Sequence, residues 1–370
     1  MASRLSAELW QIIFSHVAGA PRNHTRERIQ DLLKCCLVCR AWRYEAQRAL
    51  QAVILITNRK QFQTRLASRP SGRASVRQII VAIRWHLDRW GTTIHDILNH
   101  EMPQLRSLVL CEGIAFPEGR QLGPTELSNL SRLRELTLTE HGQTGHWRPL
   151  LLCLPHLEHL HLSSVDWMDR DVSESPTFSL KSLEISQCNI HSEPLRWLLA
   201  KSAQSLRRLS VDNLQQEWDT FIHLSAMRRE GLLPKVRHLD FSGPETRASS
   251  YLKVLPRKVT DPLACWGGIE STYIRAGDAK MRGAIINGIA AISPPPVVEL
   301  DASQMEFQDL KAVFRVRKAK LQPGTVLRLT TERDYRTKWE YWAEEYAEDA
   351  EDLAHKDGVV LEIDRVPHHA

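Results

Sequence analysis

The sequence predicts an α/β chain: a small three-helix unit over residues 1–50, a solenoid of parallel strands and return helices over 51–330, and an acidic carboxyl-terminal segment over 331–370. Three observations predict it. The first fifty residues carry apolar side chains at helical spacing. From residue 53 a short apolar string with period two recurs every 23 to 30 residues. Near the end, aromatic residues fall on a helical stripe within an acidic background.

In the first unit, Ser6 is placed to cap a helix whose first turn holds Glu8. Leu5, Leu9, Ile12, Ile13 and Val17 recur at three- and four-residue steps, and Trp10 and Phe14 widen that stripe. Gly19-Ala-Pro21 ends the helix, and a polar stretch from Arg22 to Asp31 follows. A second helix is expected from about Leu32 and a third over Ala41 to Leu50. A unit of this size buries too little surface to be stable alone, so a partner is expected to cover its apolar face.

Leu5-Ser-Ala-Glu8-Leu9, Ile12-Ile13-Phe14 and Leu33-x-x-Cys36-x-Val38-Cys39-Arg40-x-Trp42-Arg43 together resemble an F-box. Ser6 stands where the family usually has Pro, and the link over residues 18–32 is longer than its minimal form. The resemblance implies binding to the Skp1 adaptor of a cullin-RING ubiquitin ligase. It puts Leu5, Leu9, Ile13, Leu37, Val38 and Trp42 at or beside that interface, while Trp42 serves equally well as a core residue of the three helices. It also accounts for Cys36 and Cys39 as small buried residues. A zinc site at Cys35, Cys36 and Cys39 would need a fourth ligand, and only His16 and His24 lie near in sequence. No metal is expected there.

The recurring string is clearest in Leu105-Arg-Ser-Leu-Val-Leu110, Leu133-Arg-Glu-Leu-Thr-Leu138, Leu157-Glu-His-Leu-His-Leu162, Leu180-Lys-Ser-Leu-Glu-Ile185 and Leu206-Arg-Arg-Leu-Ser-Val211. Val76 and Val236 open two further copies, weaker ones begin near Ile269, Val297 and Gly324, and residues 52–57 read as an opening strand. Alternate apolar residues would point into a shared core, and the chain would return through helices such as Pro194–Ala200, Trp218–Arg229 and Phe307–Leu321. The segment from Leu180 through Cys188 has the pattern of cysteine-type leucine-rich repeats. The whole resembles the degenerate leucine-rich-repeat-like arrays attached to fungal F-box proteins.

The variable strand positions form the default binding face of a solenoid. Glu135, His159, His161, Glu184, Arg208, His238 and Asp240 are the residues expected to meet a polar protein target there. An ordinary solvated face, with the target held by loops or by the carboxyl-terminal end, is the competing expectation. His159 and His161 share a strand face, but no third convergent ligand is visible, so no metal is expected here either. In the tail, Tyr335, Trp339, Trp342, Tyr346 and Leu353 fall on one stripe that reads as a terminal cap helix. A docking helix for a basic partner is the alternative. A strand at residues 359–363 follows the cap.

Composition limits the function classes. The chain has 370 residues, 42% of them hydrophobic, and a net charge of +5, with −7 concentrated after residue 330. The basic body is expected to be a solvated surface; no run of consecutive Lys or Arg marks nucleic-acid binding. Neither a secretory leader nor a membrane span is expected, so the seven cysteines are expected to be free thiols in the cytoplasm or nucleus. Asn129-Leu-Ser131 fits a glycosylation acceptor that such a compartment would leave silent. With no phosphate loop, dinucleotide fingerprint or nucleophile elbow, no cofactor and no catalysis are expected. The expected activity is substrate recruitment for an SCF-type ubiquitin ligase, in which the chain contacts Skp1 and, through it, a cullin. A non-ligase interaction scaffold is the alternative. Neither nucleic acid nor membrane is expected as a partner.

Overall fold

The computed structural model describes residues 25–56, 74–82, 98–111, 124–139, 148–167, 174–190, 192–212, 218–242, 264–266, 269–276, 297–301, 324–330, 348–356 and 358–363. The expected first helix, with Leu5, Leu9 and Ile13, lies outside them. So do the return helix at 307–321 and most of the aromatic stripe in the tail. The chain forms two compact units, Met1–Leu157 and Glu158–Ala370.

The first unit begins with helices α1 (Thr25–Val38) and α2 (Arg40–Gln51), separated by Cys39 alone. The polar segment expected as a link is therefore helical from Thr25 onward. Arg, Glu and Gln are good helix formers, and no Gly or Pro interrupts Thr25 to Val38, so low hydropathy did not mean loop. Leu32 and Ala46 are buried between the two helices, with Cys35, Cys36, Trp42, Ala49 and Leu50 packed around them. Four parallel strands follow: β1 (Val53–Ile56), β2 (Gln78–Ala82), β3 (Ser107–Cys111) and β4 (Glu135–Thr139). Each pairs with the next in sequence. Short helices α3 (Pro124–Leu130) and α4 (Arg148–Leu152) belong to the connections.

The second unit repeats the scheme. Its sheet has eight parallel strands: β5 (His159–Ser163), β7 (Ser182–Ser186), β9 (Arg208–Asp212), β10 (His238–Ser242), β11 (Ser271–Ala276), β12 (Val297–Asp301), β13 (Val326–Thr330) and β14 (Val360–Ile363). Two-residue strands β6 (Asp166–Trp167) and β8 (Asn189–Ile190) pair in a second ladder. The return helices are α5 (Ser192–Leu199) and α6 (Trp218–Arg229), close to the expected bounds, and residues 348–356 are also helical. A parallel strand that always pairs with its sequence neighbour requires one crossover per strand, which is the topology of a repeat array. The strands fall where the recurring string predicts them, including the three weaker copies.

The string works because of its period. Leu105, Leu133, Leu157, Leu180 and Leu206 enter the core just before a strand, and the second and fourth strand residues, such as Leu108 and Leu110 or Leu183 and Ile185, are buried. Each fully buried Leu stabilises by about 2 kcal/mol relative to exposure. In the later strands the register changes the frame. Phe241, the fourth residue of β10, pairs with Ile274, the fourth of β11, but Ile274 pairs with Val298, the second of β12, and Val298 with Leu327, the second of β13, so the ladder steps by two residues between β11 and β12. A shift of two preserves the face; a shift of one would have turned the apolar set outward.

Helix ends are closed in a common way. Gly231, at φ 78°, follows α6, and the Leu232 N–H reaches back to the Met227 carbonyl at 2.9 Å. Gly358, at φ 67°, follows helix 348–356, and the Val359 N–H reaches Ala354 at 3.0 Å. Both are left-handed glycine caps that turn the chain toward the next strand. In helix 348–356 the buried residues are Ala350 and Ala354, with Leu353 half-buried and the acids Glu348, Asp349, Glu351 and Asp352 exposed.

Candidate functional site

The helical pair of the first unit leaves apolar side chains in solvent. Leu37 is 81% exposed, Val38 58% and Leu33 51%, all near the carboxyl-terminal end of α1. The core of the pair is satisfied by Leu32 and Ala46 on another side, so these three are surplus to its packing. Trp42 is different. It is only partly exposed and packs on the Leu32–Ala46 cluster, so holding the helices together is one of its roles. Arg43 has a local role too: its Nε donates to the Cys36 carbonyl at 3.2 Å, capping the end of α1.

Cys39 departs from the expectation of a small buried residue. It sits between the helices in extended conformation and is exposed, because the cap position of α2 lies outside the helix contact. Cys36 is half-buried against the cluster. Burial, with Cys36 and Asp31 adding to it, pushes the Cys35 thiol up. Among the described residues, no group of three or more His, Cys, Asp or Glu could hold a metal ion.

The register sets the expected target-binding residues in rows. In the second unit, His159 aligns with Ser182, Ser182 with Arg208 and Arg208 with His238. One step along the strands, His161 aligns with Glu184, Glu184 with Ser210 and Ser210 with Asp240. Arg208 and Asp240 are exposed, and Glu184, His159 and His238 are partly exposed. The two His side chains near acids have named neighbours: His161 Nε2 lies 3.5 Å from Glu184 Oε1, and His238 Nε2 lies 3.7 Å from Glu270 Oε2.

The expectation fails at one residue of the second row. His161 is only 8% exposed, so it offers no open surface to a target. In the first unit Ile80, Val109 and Thr137, at the corresponding strand position, are buried as well, and so is Ser107. Strands β4 and β5 are therefore covered on both faces at their centres, while β7 keeps the plain alternation of buried and accessible residues. Glu135, at the edge of its strand, remains partly accessible. In the second unit the usable outward face is thus the set His159, Glu184, Arg208, His238 and Asp240.

Two polar residues that the repeat pattern does not single out hold connections to the core. Asn129 is buried in α3; its Oδ1 accepts from the Met102 N–H at 3.1 Å, and its Nδ2 donates to the carbonyls of Leu98 and His100 at 2.8 and 2.7 Å. Ser202 is fully buried and accepts from the Leu180 N–H at 2.9 Å. Each stands four residues before the Leu that opens the next string, Leu133 and Leu206, and that offset is the signal that could have found them. The full eleven-residue pattern from Leu180 holds as well. Cys188 is buried, accepts from the Val165 N–H at 3.5 Å and donates to the Ser186 carbonyl at 3.1 Å. It is a structural thiol.

The sequence matches no family model and no curated relative. Among solved structures it is similar to an internalin from Listeria monocytogenes, at 13% identity and a TM-score of 0.35, over 85% of this chain and 78% of that one. The repeat architecture itself rests on the strand registers: four successive parallel strands in one unit and eight in the other.

Proposed function

We propose that the chain is a non-catalytic adaptor. Its helical pair docks a Skp1-like protein, and through it a cullin, while its repeats bind a protein target for ubiquitination. One observation carries the reading: Leu33, Leu37 and Val38 stay exposed on α1 while the two helices already close a core without them. Three apolar side chains gathered at one helix end are what a partner interface needs. The F-box-like residues Cys36, Trp42 and Arg43 position that end of α1 through packing and the Arg43–Cys36 hydrogen bond. The accessible residues His159, Glu184, Arg208, His238 and Asp240, drawn from two adjoining rows, are the candidate target surface. Rate enhancement would come from raised effective concentration at the ligase. This reading places the chain in the cytoplasm or nucleus.

Co-purification of the full chain with Skp1 tests it. The native chain is expected to bind, and a Leu37→Asp, Val38→Asp double variant that keeps its melting temperature is expected not to. A folded native chain that does not bind Skp1 overturns the adaptor reading. Skp1 binding without cullin in the complex would favour a non-ligase scaffold.

A further inference from the structure

The strand order of the second unit ends on β14, and among the described residues β14 has a strand neighbour on one edge only, β13. The Val360 N–H bonds to the Thr325 carbonyl at 2.9 Å, on the β13 side. Backbone groups alternate along a strand, so the N–H and C=O of Leu361 point to the other edge. Val360–Ile363 contains neither Pro nor Lys, the residues that most often blunt an open edge.

The core is also less closed at this strand. Leu327 and Leu361 are register partners on the inward face, yet Leu327 is 1% exposed and Leu361 only half-buried. A further strand about 4.8 Å away would set a side chain beside Leu361, as β14 does for Leu327.

Charge shows which kind of strand would fit. The register aligns Arg275 with Glu299, Glu299 with Arg328, and Arg328 with Glu362. The sign alternates from rung to rung and ends on an acid at the open edge. Arg328 holds Glu362 through Nε at 2.8 Å and Nη2 at 2.7 Å, both on Oε2. A carboxylate has about four acceptor sites, so Oε1 can take a second cation. The helix leading into β14 adds to the negative field, exposing Glu348, Asp349, Glu351 and Asp352.

We propose that the free edge of β14 docks an extended segment of a partner protein in which basic and apolar residues alternate. The segment adds one strand to the sheet. Its backbone pairs with Leu361, a Lys or Arg takes the rung beside Glu362, and an apolar residue covers Leu361. A second copy of this chain fits less well: pairing two β14 edges would join strands whose only charge is Glu362, each following an acidic helix. The proposal rests neither on the helical pair nor on Skp1 binding.

Fluorescence anisotropy with the full chain tests it. The probe is a labelled octapeptide of alternating Lys and Val. Its rivals are an alternating Glu-Val peptide and the Lys-Val peptide methylated at every backbone nitrogen. The Lys-Val peptide is expected to bind, and both rivals to bind at least about tenfold more weakly. Leu361→Pro removes the edge N–H without touching the Val360 bond to β13, and should weaken binding at least about tenfold. Glu362→Gln should weaken it about threefold, and Glu270→Gln, an ion-paired acid beside an inner strand, less than about twofold. Should Leu361→Pro not fold, the methylated peptide on the native chain carries the backbone test. Four results overturn the proposal: no binding of the Lys-Val peptide, equal binding of its methylated form, equal losses in Glu362→Gln and Glu270→Gln, or a sedimenting dimer of the native chain that Leu361→Pro dissolves.

Discussion

Asn129 Nδ2 donates to the Leu98 carbonyl oxygen at 2.8 Å, joining α3 to a segment 31 residues earlier. With its bonds to Met102 and His100, the amide closes backbone groups that water does not reach. Asn129→Ala should destabilise the chain by about 2–4 kcal/mol, since each buried group left unpaired costs about 1–3 kcal/mol. Asn129→Asp should be worse, because a carboxylate cannot donate to the two carbonyls. Denaturant unfolding of the three proteins checks the order. An Ala variant as stable as the native chain would remove Asn129 from its structural role.

Leu37 and Trp42 should separate interface from core. Leu37→Asp is expected to change stability by no more than about 0.5 kcal/mol, as for surface positions generally. Trp42→Ala removes packing from the Leu32–Ala46 cluster and should cost about 2 kcal/mol, less than a fully buried Trp because Trp42 is partly exposed. Thermal melts measure both. Equal costs would contradict the division of roles.

The second unit contains a pH-sensitive pair. Arg196 Nη1 and Nη2 lie 2.8 Å from the two Glu230 carboxylate oxygens, a two-pronged contact between α5 and the residue after α6. The Arg196 hydrogen bond holds the Glu230 carboxyl below its ordinary 4.5. A depressed folded value means that the contribution is complete above 4.5 and is lost as pH falls through the folded value. The melting-temperature difference between the native chain and Glu230→Gln should therefore be present at neutral pH and vanish well below pH 4.5. A difference that persists in strong acid would assign it to packing.

Thiol reactivity should follow burial. Cys39 is exposed and should react first with a maleimide; Cys188, buried and hydrogen-bonded, should react only as the chain unfolds. Burial pushes the Cys153 and Cys265 thiols up, so both should lag behind Cys39 at neutral pH. Mass spectrometry after timed labelling reads the order. Early modification of Cys188 would show local opening of its repeat.

The strands were legible because Leu, Val and Ile recur with a period that only a one-face-buried strand explains, and even the two-residue step in register between β11 and β12 keeps that period. The return helices α5 and α6 were legible from their place between successive strings. The start of α1 was not, because Thr25 to Asp31 is polar and helix propensity does not depend on hydropathy. Asn129 was hidden by a different problem. A single polar residue in a short connection looks like any turn residue until its partners at Leu98, His100 and Met102 are brought to it.

The sequence by itself determined the repeat frame, since the alternation of apolar residues dictates which strand face enters the core and where each strand lies. Tertiary structure alone decided which outward residues are open. His161 and Glu184 are equivalent in the string, yet one is buried and the other accessible. A strand's pattern records only which of its faces meets its own core, whereas exposure of the other face depends on whatever distant parts of the chain pack over it.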